Sequence, residues 1–129
     1  MIETLDTELK DCVLVVEDEF LIAASLSMQI EDLGMAVCGT ADTARGAIDM
    51  ALRHRPRVIL MDMRLKGQED GVDAALAIHK AVGSKVIFIT GSREPATMAR
   101  IQEDHPAAVL FKPIYGRQLQ TAIESVLAS

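Results

Sequence analysis

Four apolar runs in this 129-residue chain end abruptly in residues that could do chemistry together. Val13–Val16 is followed by Glu17, Asp18 and Glu19; Ile59–Met61 by Asp62; Val86–Ile89 by Thr90, Gly91 and Ser92; and Val109–Phe111 by Lys112 and Pro113. If these stops share one crevice, Glu17, Asp18 and Asp62 crowd negative charge, and each raises the pKa of the others unless a cation neutralises them. A hard dication with oxygen ligands answers that need. Magnesium, or manganese in its place, binds through one or two carboxylates and keeps positions for water and phosphate oxygens. Lys112 adds a mobile ammonium suited to a phosphate oxygen, and the Thr90 hydroxyl adds a hydrogen-bond donor. Asp62 stands alone at the end of its run, which marks it as the nucleophile for a phosphorus centre. A carboxylate is already ionised at neutral pH and needs no general base.

Taken singly, each residue has a bland explanation. Asp62 could cap a helix, the acids at 17–19 could favour a helix dipole, Thr90 could merely end a strand, and Lys112 could be a surface charge. Only together do they make a site, and whether they meet depends on the elements that carry them. Runs at Cys12–Val16, Met35–Thr40, Val58–Met61, Val86–Thr90 and Ala108–Phe111 have the short, nearly all-apolar character of strands buried on both faces. Helical stripes lie between them. Ile22, Leu26, Ile30 and Leu33 form the first, closed by Gly34; Ala44, Ala47, Ile48, Ala51 and Leu52 form the second, capped by Asp42 or Thr43. Val72, Ala75, Leu76 and His79 mark a third after Asp70-Gly71. Pro95 opens a polar fourth that reaches about Glu103, and Leu119, Ala122, Ile123, Val126 and Leu127 mark the fifth.

Strict alternation of this kind predicts an α/β fold: a (βα)5 doubly wound parallel sheet, flavodoxin-like, with strand order 2-1-3-4-5. In that order the first and third strands are neighbours, and ligands collect beyond their carboxyl ends. All four hydrophilic stops then lie on one edge of the sheet. The expected organisation is an N-terminal extension at 1–10 and one domain over 11–129.

Composition narrows the field further. Net charge is -6, with thirteen Lys and Arg scattered along the chain and not gathered into a stripe, so nucleic acid is not an expected partner. Residues 1–11 lack the apolar run of a signal peptide, and no stretch is long enough to span a membrane, so the expected compartment is the cytoplasm. Cys12 and Cys38 match neither a redox pair nor a zinc spacing and are expected to be reduced. His54, His79 and His105 lack ligand spacing, and His79 is expected to be a packed residue.

Val13-Leu14-Val15-Val16-Glu17-Asp18-Glu19, Ile59-Leu60-Met61-Asp62-Met63-Arg64-Leu65, Val86-Ile87-Phe88-Ile89-Thr90-Gly91 and Leu110-Phe111-Lys112-Pro113 strongly resemble the response-regulator receiver domain, of CheY-like type. The resemblance spans about residues 11–127. It implies that Asp62 is the phosphoacceptor of a two-component system, and that Asp18, Asp62 and the Arg64 backbone carbonyl bind the metal, with Glu17 acting largely through water. Thr90 and Lys112 would contact the phosphoryl group. The donor would be a histidine kinase or histidine phosphotransfer protein and the output an unknown protein target, with the chain a monomer or a phosphorylation-dependent dimer. Phosphorylation would shift the loop around Thr90 and repack the face of the fourth helix, fifth strand and fifth helix. No enzymatic activity is expected beyond self-phosphorylation and autodephosphorylation.

Three departures qualify the likeness. Lys66 stands where many receivers have Pro, in a loop about one residue longer. Val109 replaces the aromatic that usually reports activation, so ring rotation is not an available switch. Phe88-Ile89-Thr90-Gly91 looks like a variant of the Phe-x-Thr-Gly signature of an alphaproteobacterial receiver subgroup with single-domain members. Two rival readings follow: a phosphorylation-independent receiver-like interaction domain, and a small phosphatase, which Arg64 two positions after Asp62 disfavours.

Overall fold

The computed structural model describes residues 8–129, so most of the expected extension at 1–10 lies outside the described residues. The predicted alternation resolves into β1 (Lys10–Val16), α1 (Phe20–Asp32), β2 (Ala36–Ala41), α2 (Ala44–His54), β3 (Pro56–Asp62), α3 (Gly71–Ala81), β4 (Lys85–Thr90), α4 (Pro95–Gln102), β5 (Ala108–Phe111) and α5 (Gly116–Ala128). All strand pairs are parallel and their order is β2-β1-β3-β4-β5. β1 starts earlier than the apolar run suggests: Lys10 N–H donates to Arg55 O at 2.8 Å, and Leu9 packs against the core. Strand pairing therefore begins inside the expected extension.

Strand parity sorts the apolar side chains into two cores. Val13, Val15, Val58, Leu60, Ile87 and Ile89 face α1 and α5, meeting Leu26, Ile30, Leu119 and Ile123. Leu14, Val16, Ile59, Met61, Val86 and Phe88 face α2, α3 and α4, meeting Ala47, Ala51, Ala75, Ile78 and Ile101. Both faces of the three central strands are thus covered, as an all-parallel sheet requires. Each fully buried Leu, Ile or Val contributes roughly 1.5–3 kcal/mol, and these strands hold most of them.

Two stripe members are exposed. Leu52 and Leu127 are 49% and 39% exposed, because a 3.6-residue period carries the i+8 position round to the stripe's edge. Helix ends follow local chemistry. Thr43 caps α2 by accepting from Gly46 N at 2.9 Å, and Gly34 closes α1 with a left-handed φ of 87° while donating to Glu31 O.

One glycine couples fold to site. Gly71 opens α3, its N–H donates to Met63 O at 2.9 Å, and a Cβ there would overlap the Asp62 carbonyl oxygen and crowd Met61. The start of α3 is therefore seated on the backbone that carries Asp62. Gly71→Ala should destabilise the protein by about 1–3 kcal/mol, the usual cost of overpacking, seen as an earlier midpoint in urea. An unchanged midpoint would show that α3 is free to move off that backbone.

Candidate functional site

Because the strands are parallel, all their carboxyl ends point one way, and α helices leave from that edge. β1 stops at Val16 beside Met61 of β3, which puts Glu17 and Asp62 on adjacent tips. β4 continues alongside β3, with Ile89 opposite Asp62, and brings Thr90 next to it. β5 ends at Phe111 opposite Thr90 and delivers Lys112, which precedes a cis peptide bond to Pro113. The sequence-predicted residues Glu17, Asp18, Asp62, Thr90 and Lys112 thus meet at one edge. All of these but the buried Glu17 line, together with Arg64, a cavity of about 700 Å³ walled on one side by Gly67–Asp70 and on the other by Ser92, Glu94 and Thr97.

Carboxylate oxygens of Glu17, Asp18 and Asp62 all lie within 4.8 Å of one another. Glu17 and Asp62 are only 3% and 4% exposed. Lys112 is the cation among them, its Nζ 3.1 Å from Asp62 Oδ2 and 3.3 Å from Glu17 Oε2. The Asp62 Oδ1 atom accepts the Arg64 N–H at 3.1 Å. Burial, followed by Asp62, pushes the Glu17 carboxyl up to about 8. Burial opposes charge on Lys112 as well, yet Asp62 and Glu17 outweigh it and hold the ammonium above its ordinary range.

One lysine does not satisfy this set. Glu17 Oε2 is buried and accepts no hydrogen bond, because the Lys112 amine stands off the direction such a bond needs. An all-oxygen cluster with an unmet buried acceptor suits a hard dication, so the residues present fit the magnesium that the sequence predicts. The Thr90 hydroxyl is engaged in its own loop, accepting Ser92 N–H at 3.1 Å. Ser92 Oγ in turn accepts Glu94 N–H at 3.2 Å and lies 3.3 Å from Thr97 Oγ1 in α4.

Several groupings were not legible in the sequence. Arg100 of α4 forks onto Asp70 and Asp73 at the start of α3. The expected packing residue His79 instead places Nδ1 2.9 Å from Asp104 Oδ1, a carboxylate whose side chain is fully buried and whose pKa burial raises. Arg93 lies over the Phe111 ring at 3.7 Å. Cys12 and Cys38 are neighbours across β1 and β2. Burial and then Cys12 push the Cys38 thiol up to about 12, which favours the thiol over the thiolate. Lys66 holds the β3–α3 loop to the β2–α2 turn, donating its N–H to Asp42 O at 3.0 Å and its amine to Asp42 Oδ2 at 3.2 Å.

Comparison with known proteins gives a consistent picture. The response regulator receiver domain profile matches residues 13–124. The chain is 30% identical over 112 residues to the transcriptional regulatory protein PdtaR of Mycobacterium tuberculosis, covering 87% of this chain and 54% of that one. It is 34% identical over 116 residues to the phyllosphere-induced regulator PhyR of Methylorubrum extorquens, covering 89% and 43%. The chain therefore spans about half the length of the curated relatives it matches. Among solved structures, the signal receiver domain of a modulated diguanylate cyclase from Desulfovibrio desulfuricans superposes with a TM-score of 0.85 at 36% identity, covering 91% and 93%. A CheY-like receiver domain protein from Methanospirillum hungatei gives 0.83 at 25%, covering 94% and 95%. No helix among the described residues is long and apolar enough to cross a membrane.

The buried Glu17 has a consequence for stability. Its folded pKa of about 8 exceeds its unfolded value of 4.5, so folding favours the protonated form. That contribution is present below pH 4.5 and is lost as pH rises toward 8. In chelator, the unfolding free energy of the parent relative to Glu17→Gln should therefore decline through this window and level off above it, as read from denaturant titrations. A difference independent of pH would contradict the strain assigned to this carboxyl.

Proposed function

The chain belongs to the response regulator receiver domain family, and from that premise we propose that it is a phosphoacceptor of two-component signalling, taking a phosphoryl group onto Asp62. The observation that carries this reading is the setting of Asp62: nearly buried, with Lys112 Nζ at 3.1 Å on one oxygen and the Arg64 N–H at 3.1 Å on the other. Both contacts fix the carboxylate in place before a donor arrives. The family makes a histidine kinase or histidine phosphotransfer protein the donor.

An Asp62 oxygen attacks phosphorus of the phosphohistidine, an O–P bond forms, and the N–P bond breaks with its electron pair left on the imidazole. The nucleophile is a carboxylate oxygen, a class that needs no separate general base. Lys112, beside Asp62 Oδ2, is placed to follow the negative charge as it spreads onto the phosphoryl oxygens. Thr90 offers its hydroxyl once it leaves Ser92. Glu17, Asp18, Asp62 and the Arg64 carbonyl would hold magnesium or manganese, which supplies neutralisation of the acid cluster and of the phosphoryl oxygens. Any catalysis is confined to the protein's own phosphorylation and dephosphorylation, and the output is a changed surface offered to another protein.

A phosphatase acting on a diffusible substrate is disfavoured by Arg64, which stands where a second acid two residues beyond Asp62 would serve as general acid. Incubation with magnesium and acetyl phosphate, followed by intact-mass measurement, should show one added phosphoryl group in the parent and none in Asp62→Asn. Lys112→Ala should slow uptake on the order of 10²-fold, the usual cost of losing one preorganised charge-stabilising donor. Continuous release of phosphate without a covalent adduct would favour the phosphatase, and no response at all would favour a phosphorylation-independent interaction domain.

A further inference from the structure

Helix α4 is held to the molecule by charge more than by apolar contact. Ile101 is its only fully buried residue, with Met98 partly covered. Arg100, by contrast, spreads its guanidinium over the start of α3. Its Nε donates to Asp70 Oδ2 at 3.2 Å, while Nη2 donates to Asp70 Oδ1 at 3.1 Å and to Asp73 Oδ1 at 2.8 Å. Its Nη1 reaches Glu103 Oε1 at 3.2 Å. The same two aspartates cap α3, since Asp70 Oδ1 accepts Asp73 N–H and Asp73 Oδ2 accepts Asp70 N–H, both at 2.9 Å. All four carboxylate oxygens are therefore used, and the cap of α3 and the seat of α4 are one network.

That network borders the phosphoryl site. Asp70 is the last residue of the Gly67–Asp70 cavity wall. Gly71, next in sequence, rests on the Asp62 carbonyl and donates to Met63 O. A shift of the backbone after Asp62 is thus a shift of Asp70, and a shift of Asp70 moves the partner of Arg100. We propose that Arg100 is the side chain through which occupancy at Asp62 and the placement of α4 are coupled. The proposal rests on Asp62 being the phosphoacceptor.

Residue chemistry suits the role. A guanidinium fork holds a fixed direction onto paired carboxylates, which an ammonium does not. Arg100, Asp70 and Asp73 are 29%, 31% and 38% exposed, so the ties are strong enough to place a helix and weak enough to give way. Coupling through such a network is reciprocal: whatever the site does to α4, the seating of α4 does to the site.

Hydrogen–deuterium exchange of Thr97–Glu103, with and without magnesium and beryllofluoride, tests this in the full chain, with acetyl phosphate uptake by intact mass as a separate readout for Asp62. In the parent, filling the site should change exchange in α4 by about tenfold, a coupling in the ordinary allosteric range. In Arg100→Gln, and equally in Asp73→Asn approached from the other side of the bridge, exchange in α4 should be fast in both states and the ratio should fall below about twofold, while Asp62 still takes phosphate. A purely structural tether would speed exchange in both states and leave the ratio intact, which overturns the proposal. So does a parent ratio of one despite normal uptake, or a collapse in one variant but not the other. Absence of uptake in the parent defeats the phosphoacceptor reading itself, and this inference with it.

Discussion

Three carboxylates within 4.8 Å of one another, two of them buried, are held beside a single lysine at the tips of neighbouring strands. Like charges at that separation repel by several times thermal energy in a partly buried crevice, and Lys112 is one cation against three acids. The cluster survives because the strands beneath it are fixed by two apolar cores that cannot shift independently. Glu17 and Asp62 are continuations of Val16 and Met61, and those residues are fully enclosed. The sheet holds the acids together against their mutual repulsion, and the cost is left as unmet demand for a cation.

That demand explains features that otherwise look unrelated. Glu17 is pushed toward its neutral form, the response expected of a buried acid whose neighbours are also acids. Lys112 is drawn inward from the end of β5 although burial opposes its charge. The β3–α3 loop is not left free above the site: Lys66 fastens it to the β2–α2 turn, and Gly71 fastens its far end to Met63 with no room for a Cβ against the Asp62 carbonyl. A loop pinned at both ends lets a charge change at Asp62 be felt at its margins instead of being dissipated as loop motion.

The parts legible in the sequence were those fixed by short-range pattern. Five apolar runs, five helical stripes and the hydrophilic residue that ends each run were enough to place Glu17, Asp18, Asp62, Thr90 and Lys112 on one edge, because parallel topology leaves few alternatives. Boundaries were less well defined. Lys10 and Lys85 pair in strands despite their charge, since backbone hydrogen bonding at an exposed strand end is indifferent to the side chain. What the sequence did not reveal were contacts that depend on how helices cross. Arg100 meets Asp70 and Asp73 across twenty-seven to thirty positions, and His79 of α3 meets Asp104 in the turn that follows α4. No periodicity encodes either pairing. An Asp-x-x-Asp capping pattern was present at 70–73, but its second use as a seat for α4 depends on the packing angle.

Val109 makes those unread contacts matter. It is partly buried beside β4, packed on the same core as Phe88 and Ile101, and a β-branched side chain with one preferred rotamer cannot trade between core and solvent as a long aromatic can. Under the proposed phosphorylation of Asp62, a change leaves the site most cheaply through groups that exchange partners without opening a cavity. Polar contacts meet that condition, because swapping one hydrogen bond for another is nearly neutral, whereas repacking a core costs several kcal/mol. The chain supplies such groups in series: Thr90 on Ser92, Ser92 beside Thr97, and Arg100 on Asp70 and Asp73. Thr97 and Arg100 belong to α4 itself, a helix with little apolar packing beside these polar ties. In this fold α4 is seated by the charged fork of Arg100 and by the one buried side chain of Ile101, and polar ties of that kind can be exchanged where the Val109 side chain cannot.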